Sequence, residues 1–306
     1  MSAAFVLAQL LNGLQLGLML FLLAAGLTLI FGIMGLVNLA HGSFYMIGAF
    51  VAATLQAWTG HFALALAGGV GAAIILGIAV ESALLRPLYR RGHLDQVLVT
   101  FGLILFFNEA TRLLWGSGGL SMQPPAVLAS EIQLLPGLPY PSYRLAISGV
   151  GCLVVVLLSL LLGRTRIGML IRAGARDHAM VSALGVNIKL VYSLVFGLGA
   201  MLAGLAGVMT GPIIAVEVGM GEAILIQTFV VVVLGGIGSV KGSFVAALAV
   251  GLADSLGRAF LPLLLGGFLA PTTVSAVAPA AASTVIYLLM AATLLWRPQG
   301  LLGHRR

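Results

Sequence analysis

Residues 145–162 read LAISGVGCLVVVLLSLLL, and residues 190–209 read LVYSLVFGLGAMLAGLAGVM; neither stretch holds a charged residue. A helix needs about 20 residues, rising 1.5 Å each, to cross the hydrocarbon core of a bilayer. In hydrocarbon every backbone N–H and C=O must be paired inside the protein, and a helix achieves this within one segment. The strands of a membrane β-barrel would instead alternate between lipid and lumen. These unbroken runs do not alternate. The fold class they imply is all-α: a polytopic bundle of transmembrane helices.

Composition agrees. Of 306 residues 61% are hydrophobic and 8% are charged, against roughly 25% charged in an ordinary soluble domain. So few charges could not cover a water-exposed surface. With these two, the apolar segments lie near 8–31, 43–58, 62–85, 97–115, 144–163, 189–210, 223–236, 243–261 and 282–296. The seventh and ninth are short and are expected to be tilted, broken or extended by their neighbours. The expectation is eight or nine spans with broken or re-entrant segments, forming one transmembrane domain over 1–306. The N-terminal run lacks a basic start and continues to Phe31, too long for a signal-peptide core, and reads as a retained first span. The single cysteine, Cys152, excludes a disulfide framework or a cysteine metal cluster and reads as a buried, inert thiol.

Lys and Arg favour short cytoplasmic loops. Arg86, Arg90 and Arg91 follow the third span, and Arg164, Arg166, Arg172, Arg176 and Lys189 separate the fifth from the sixth. Lys241 lies between the seventh and eighth, and Arg297, Arg305 and Arg306 end the chain. Twelve of the 15 basic residues thus fall on one side of a nine-span chain. That side is expected to be the cytoplasm, with the N-terminus outside and the C-terminus inside. Topology accounts for the net charge of +7, and nucleic-acid binding is not needed to explain it. Two acid–base pairs within spans, Glu109 with Arg112 and Asp254 with Arg258, have spacings that share a helix face. They serve either as neutralised pairs near the interface or as the lining of an outer vestibule. Gly199, Ala203, Gly207 and Gly211 recur every four residues, a stripe suited to close helix packing.

The apolar pattern stops in four informative places. Gly32–Ser43 mixes glycines with Asn38, His41 and Ser43, and is either a plain cytoplasmic turn or unwound backbone lining a transport path. His41 has no nearby acidic or thiol partner that would suggest a metal. Leu234–Phe244 is a second Gly-rich break, and Gly242-Ser-Phe244 echoes Gly42-Ser-Phe44, a hint of internal duplication. The break is not a phosphate-binding loop: that pattern needs Gly at Val240 and Ser or Thr at Gly242. The cytoplasmic segment 164–188 holds an expected helix, Met169–Leu184, with Gly185 as its stop. Its charged face carries Arg172, Arg176 and Asp177. It either lies on the membrane surface or inserts as a coupling helix into a cytoplasmic partner. The external loop 116–143, rich in proline, docks a soluble partner or lids the bundle.

At this point four colinear segments carry a resemblance. Residues 9–50 (QLLNGLQLGLMLFLLAAGLTLIFGIMGLVNLAHGSFYMIGAF), 171–212 (IRAGARDHAMVSALGVNIKLVYSLVFGLGAMLAGLAGVMTGP), 231–248 (VVVLGGIGSVKGSFVAAL) and 296–303 (WRPQGLLG) resemble the branched-chain amino-acid ABC importer permeases, in particular the first of their two paired permease subunits. The resemblance implies a single permease domain in a bacterial inner membrane. The implied partners are a second homologous permease, two cytoplasmic ATPases and a periplasmic binding protein. Arg172, Ala173, Asp177 and Gly185 match the family's coupling segment and, with Arg176, are the expected ATPase-coupling residues. Val181 stands where the family pattern has Ala. Asn38, Ala40, His41 and Gly42 match the family's break; Asn38, His41, Gly42 and Ser43 are the expected pathway residues. The implied mechanism is alternating access driven by ATP bound elsewhere, with no catalytic residue, cofactor or metal in this chain. Substrates in such a family extend to urea, short amides and aromatic acids. A secondary transporter or channel is the competing class and would need an intramembrane relay of ionisable groups, for which Glu81 is the interior candidate. An intramembrane metalloprotease would need a His-Glu-x-x-His pair, which the sequence lacks.

Overall fold

The computed structural model of the protein describes residues 3–303; Arg305 and Arg306, counted above among the basic residues, lie outside them. Every apolar segment is a helix: α1 (Ala3–Met34), α2 (His41–Thr59), α3 (Phe62–Val80), α4 (His93–Trp115) and α5 (Ser142–Arg164), then, beyond two short helices α6 (Arg166–Arg176) and α7 (His178–Ala183), α8 (Ile188–Thr210), α9 (Met220–Gly235), α10 (Val240–Leu265) and α11 (Pro271–Trp296). Among the described residues seven of these are long and apolar enough to cross a membrane: α1, α3 continued to Tyr89, α4, α5, α8, α10 and α11. The chain is a multi-pass membrane protein. The helices α2 and α9 are present but fall outside that set of seven.

Three elements differ from their expected form. The last helix begins at Pro271, well before residue 282. Its first turns, PTTVSAVAP, look like a loop, yet proline at the first helical position lacks only an N–H that would be orphaned anyway. The third span does not stop at residue 85; a π-helical turn (Glu81–Leu85) and a 3-10 turn (Arg86–Arg90) continue it. The loop after α4 contains a small antiparallel hairpin, β1 (Glu131–Leu135) with β2 (Leu138–Pro141). It turns at Gly137, whose φ of 83° favours glycine. Cys152 is exposed rather than buried. It lies on α5 beside exposed Leu153, Val156 and Leu157, an apolar face that hydrocarbon accommodates at no penalty.

The chain forms two compact units. One comprises 22–125 and 153–227. Here α2, α3 and α8 pack through small residues. A Cβ added to Gly48 would lie 2.8 Å from Gly204 Cα, and one on Gly207 would run into the Tyr45 carbonyl. The α8 stripe read from sequence does pack: Gly199 meets Gly26 and Ile30 of α1, and Gly211 meets Met122. The helix α3 adds an unpredicted stripe of its own, with Ala65, Gly69, Ala73 and Gly77 all buried. Without a hydrophobic drive between helices in lipid, such backbone proximity supplies the dispersion contacts that hold them. Phe44 fills the remaining space, edge-on to Phe196 at 5.8 Å. The loop after α4 is tied to this unit: Leu120 pairs with Val216, and the Gln56 amide grips the Gln123 backbone at 2.7 and 3.1 Å.

The other unit comprises the chain up to Phe21, Ala126–Cys152 and everything described from Thr228 on. Gly13 and Gly17 of α1 meet the α10 backbone at Gly251, Leu252 and Ala247. Asn12 accepts hydrogen bonds from the Tyr140 hydroxyl and the Arg144 guanidinium, both at 3.0 Å. Asp254 and Arg258 form the ion pair their spacing predicts, at 2.8 Å; Glu109 and Arg112 do the same in the first unit.

Gly207→Ala is expected to lower stability by about 1–3 kcal/mol, because the clash is with fixed backbone. Gly149→Ala, whose Cβ would meet nothing within 4 Å, is expected to leave stability unchanged or slightly raised. Thermal unfolding of the two variants in detergent compares them directly.

Candidate functional site

The first break follows from helix-end chemistry. Gly35 stops α1 with a φ of 64° and donates back to Phe31. Asn38 then bends the chain: its side-chain oxygen accepts from the Ala40 N–H at 3.1 Å and its carbonyl from His41 N at 3.3 Å. The helix α2 starts at His41 without a side-chain cap. Asn38 and His41 are both wholly buried. Asn38 Nδ2 and both ring nitrogens of His41 nevertheless have no hydrogen-bond partner; the imidazole lies beside the Leu23 backbone but outside bonding geometry. A buried polar atom left this way costs about 1–3 kcal/mol. Gly42 packs backbone to backbone on Gly221 of α9, and Ser43 is buried beside it. The four expected pathway residues thus sit together, on the break and the first turn of α2.

The second break also relies on glycine but, unlike the first, is closed by a side-chain cap. Gly236 and Gly238 have φ of 95° and 83°, and Ser239 caps α10 by accepting from Gly242 N at 3.1 Å. Gly242 packs on the Gly235 backbone as Gly42 packs on Gly221. The following phenylalanines also correspond: Phe44 is edge-on to Phe196 and Phe244 to Phe21, at 5.3 Å. The closing segment WRPQGLLG, singled out from sequence without a role, serves this break. Leu301 N and Leu302 N donate to the Leu234 and Gly235 carbonyls at 2.8 and 3.2 Å, satisfying the end of α9. Gly300 and Gly303 let the segment come this close.

The segment 164–188 is two helices, which corrects the single helix Met169–Leu184. Asp177 is the reason. Its backbone leaves the helical region at φ −155°, ψ 93°, and its carboxylate accepts from Met180 N at 2.9 Å, capping α7. Asp competes in this way with continued helix. Thr165 and Asn187 cap α6 and α8 likewise. Gly185 ends α7 in the left-handed region, φ 82°, the stop expected of it. Gly168, Ile171 and Gly174 form the buried face of α6. Gly174 lies near Ile33 at the end of α1. Arg172, Arg176 and Asp177 are exposed and Ala173 is half-buried. Met180 and Leu184, 64% and 77% exposed, add an apolar surface beside them. Val181 is buried, so its departure from Ala bears on packing rather than on this surface.

One cluster carried almost no signal in the sequence. The Glu81 carboxylate is completely buried and ion-paired to Arg86. Glu81 and Arg86 are five residues apart, which places them on different faces of an α-helix. The π-helical turn, whose bonds run i to i+5, brings them together. The only warning in the sequence is an acid inside an apolar span. Among the described residues no group of three or more His, Cys, Asp or Glu could hold a metal ion.

Long apolar helices, two glycine-built breaks and a capped amphipathic insert define a polytopic membrane protein of the transport-permease type. Residues 9–294 match the family described as branched-chain amino acid transport system / permease component, and the chain belongs to it. It is 34% identical over 265 residues to the high-affinity branched-chain amino acid transport system permease protein BraD of Pseudomonas aeruginosa, covering 82% of this chain and 86% of that one. It is 31% identical over 278 residues to the permease protein LivH of Escherichia coli, covering 84% and 87%. The permease protein LivM of the same organism is 29% identical over 316 residues, covering 93% and 68%. No solved structure matches the chain.

Asp177→Ala is expected to remove the α7 cap, worth about 0.5–2 kcal/mol, and Asp177→Asn to keep it. Amide exchange over residues 178–184 should quicken in the first variant and stay near wild type in the second.

Proposed function

We propose that the chain is the membrane-spanning permease subunit of an ATP-binding-cassette importer for branched-chain amino acids in a bacterial inner membrane. The whole chain acts as one permease domain, crossing nine times if α2 and α9 are counted, with the N-terminus periplasmic and the C-terminus cytoplasmic. Its partners are a second homologous permease, two cytoplasmic ATPases that hydrolyse ATP, and a periplasmic binding protein that delivers the substrate. The basic residues support this orientation, because Arg86, Arg164–Lys189, Lys241 and Arg297 all fall at one set of helix ends in a nine-crossing chain.

The observation that carries the proposal is the segment 164–188. Two capped helices between long apolar ones expose Arg172, Arg176, Met180 and Leu184 together. A surface both charged and apolar suits a groove on a protein better than the flat plane of a bilayer. Arg172, Ala173, Arg176, Asp177 and Gly185 form the coupling element in this reading, Asp177 and Gly185 by shaping it and the arginines by touching the ATPase. Asn38, His41, Gly42 and Ser43 border the translocation path, where the unpartnered amide and imidazole meet the polar end of the substrate. The apolar neighbours, Phe44 beside the His41 ring and Leu225 beside Gly42, favour an apolar side chain on the substrate. A proton- or ion-driven carrier is disfavoured because the buried acids, Glu81 and Asp254, are each already bound to an arginine.

Two arms test this. The complex, purified from membranes through a tag on this chain, should contain the ATPases, and Arg172→Glu with Arg176→Glu should release them. Proteoliposomes holding the complex and binding protein should take up labelled leucine only with ATP inside the compartment that holds the ATPases. Uptake by the purified chain alone on a proton gradient would overturn the importer reading. Competition by urea, acetamide or benzoate stronger than by valine would move the substrate class.

A further inference from the structure

The Glu81 cluster lies outside the coupling and pathway residues, and its geometry is complete. Glu81 Oε1 accepts from Arg86 Nε at 3.2 Å and from the Tyr89 hydroxyl at 2.9 Å. Oε2 accepts from Arg86 Nη2 at 2.9 Å and from the Ser193 hydroxyl at 2.7 Å. Ser193 in turn accepts from Arg86 Nη2 at 2.8 Å. Tyr89 packs edge-on against Tyr192, the residue before Ser193, with ring centres 5.2 Å apart. Two residues of α8 are therefore gripped by the π-helical and 3-10 turns that end the third span. Ser193 lies six residues beyond Asn187, the cap that begins α8 immediately after the segment 164–188.

A buried ion pair is seldom a net source of stability, since removing both charges from water offsets their attraction. A packed leucine would hold these helices together as well. What the carboxylate adds is direction: Arg86 and Tyr89 of its own span fix its orientation, and it then accepts from the Ser193 hydroxyl of α8 at one angle. The π-helical turn points the same way, because such turns carry a local cost and concentrate at functional positions. Beyond the cluster, α3 packs at Gly77 on Ala200 of α8 and at Gly69 on the Gly48 carbonyl of α2. The pathway residues His41 to Ser43 open that same α2. Movement at the start of α8 would thus have a path to α2 through contacts between packed elements.

We propose that Glu81, held by Arg86, Tyr89 and Ser193, is a positioning residue for energy coupling: it locks the third span to the start of α8, so that displacement of the segment 164–188 is passed to α3 and α2. This rests on the reading of 164–188 as the ATPase-coupling element. The cluster transmits motion and does not touch the substrate.

The test uses proteoliposomes containing this chain, its partner permease, the ATPases and the binding protein, and measures labelled leucine taken up and phosphate released in the same vesicles. In Ser193→Ala and Glu81→Gln, phosphate release stimulated by leucine-loaded binding protein is expected to persist while uptake falls. ATP consumed per leucine should rise about fivefold or more. Ser193→Thr, which restores the hydroxyl, should return the ratio toward wild type. A role in folding alone would reduce both rates in proportion to assembled complex and leave the ratio unchanged. An unchanged ratio in Ser193→Ala overturns the assignment, including the case in which Glu81→Gln does not assemble. Wild-type vesicles that move no leucine on ATP would instead remove the importer reading, and this inference with it.

Discussion

The closeness of backbones is the constraint on which the rest of this protein depends. At Gly42 and Gly221, at Gly235 and Gly242, and at Gly48 and Gly204, no side chain separates one helix from the next. Lipid tails are as apolar as leucine, so helices gain little by hiding apolar side chains from them. Close packing is then the main source of cohesion, and it requires glycine or alanine wherever two helices cross. The 41 glycines of the chain serve this need more often than they serve turns.

Close crossing also makes the breaks possible. A helix interrupted at membrane depth leaves carbonyls and amides without partners, and hydrocarbon cannot supply them. Each interruption here is answered locally. Asn38 bends one, Ser239 caps the other, and the chain's closing segment bonds the carbonyls at the end of α9. The residue left over is informative. The His41 ring nitrogens and the Asn38 amide nitrogen remain without a hydrogen-bond partner. Such atoms are expensive to keep, and a transport path is a setting in which a passing polar group would satisfy them.

The same economy of local chemistry shapes the basic insert. Three side chains, Thr165, Asp177 and Asn187, start three helices within two dozen residues. They give a short segment a fixed outline without help from a core of its own. Under the proposed coupling role that stiffness would matter, because a flexible loop would absorb a push instead of passing it on. The Glu81 cluster stands at the point where such a push would enter the larger helices.

Much of this was legible in the sequence. Unbroken apolar runs determine helices, since only a helix satisfies its backbone within one segment. The spacing of Glu109 with Arg112 and of Asp254 with Arg258 determines ion pairs, since three and four residues share a face. The Gly199–Gly211 stripe announces a packed surface for the same reason. Glycine at 185 and the GSF echo at 42 and 242 mark real helix boundaries. Tertiary structure alone decided the rest. It split the segment 164–188 at Asp177, because a cap and a helix interior compete for the same backbone and context chooses. It started the last helix at Pro271, because a proline looks like a stop until its N–H is seen to be unneeded. It joined Glu81 to Arg86 and Ser193, because a five-residue spacing has meaning only in a π-helical turn, and a contact 112 residues distant in sequence exists only once two helices have been packed side by side.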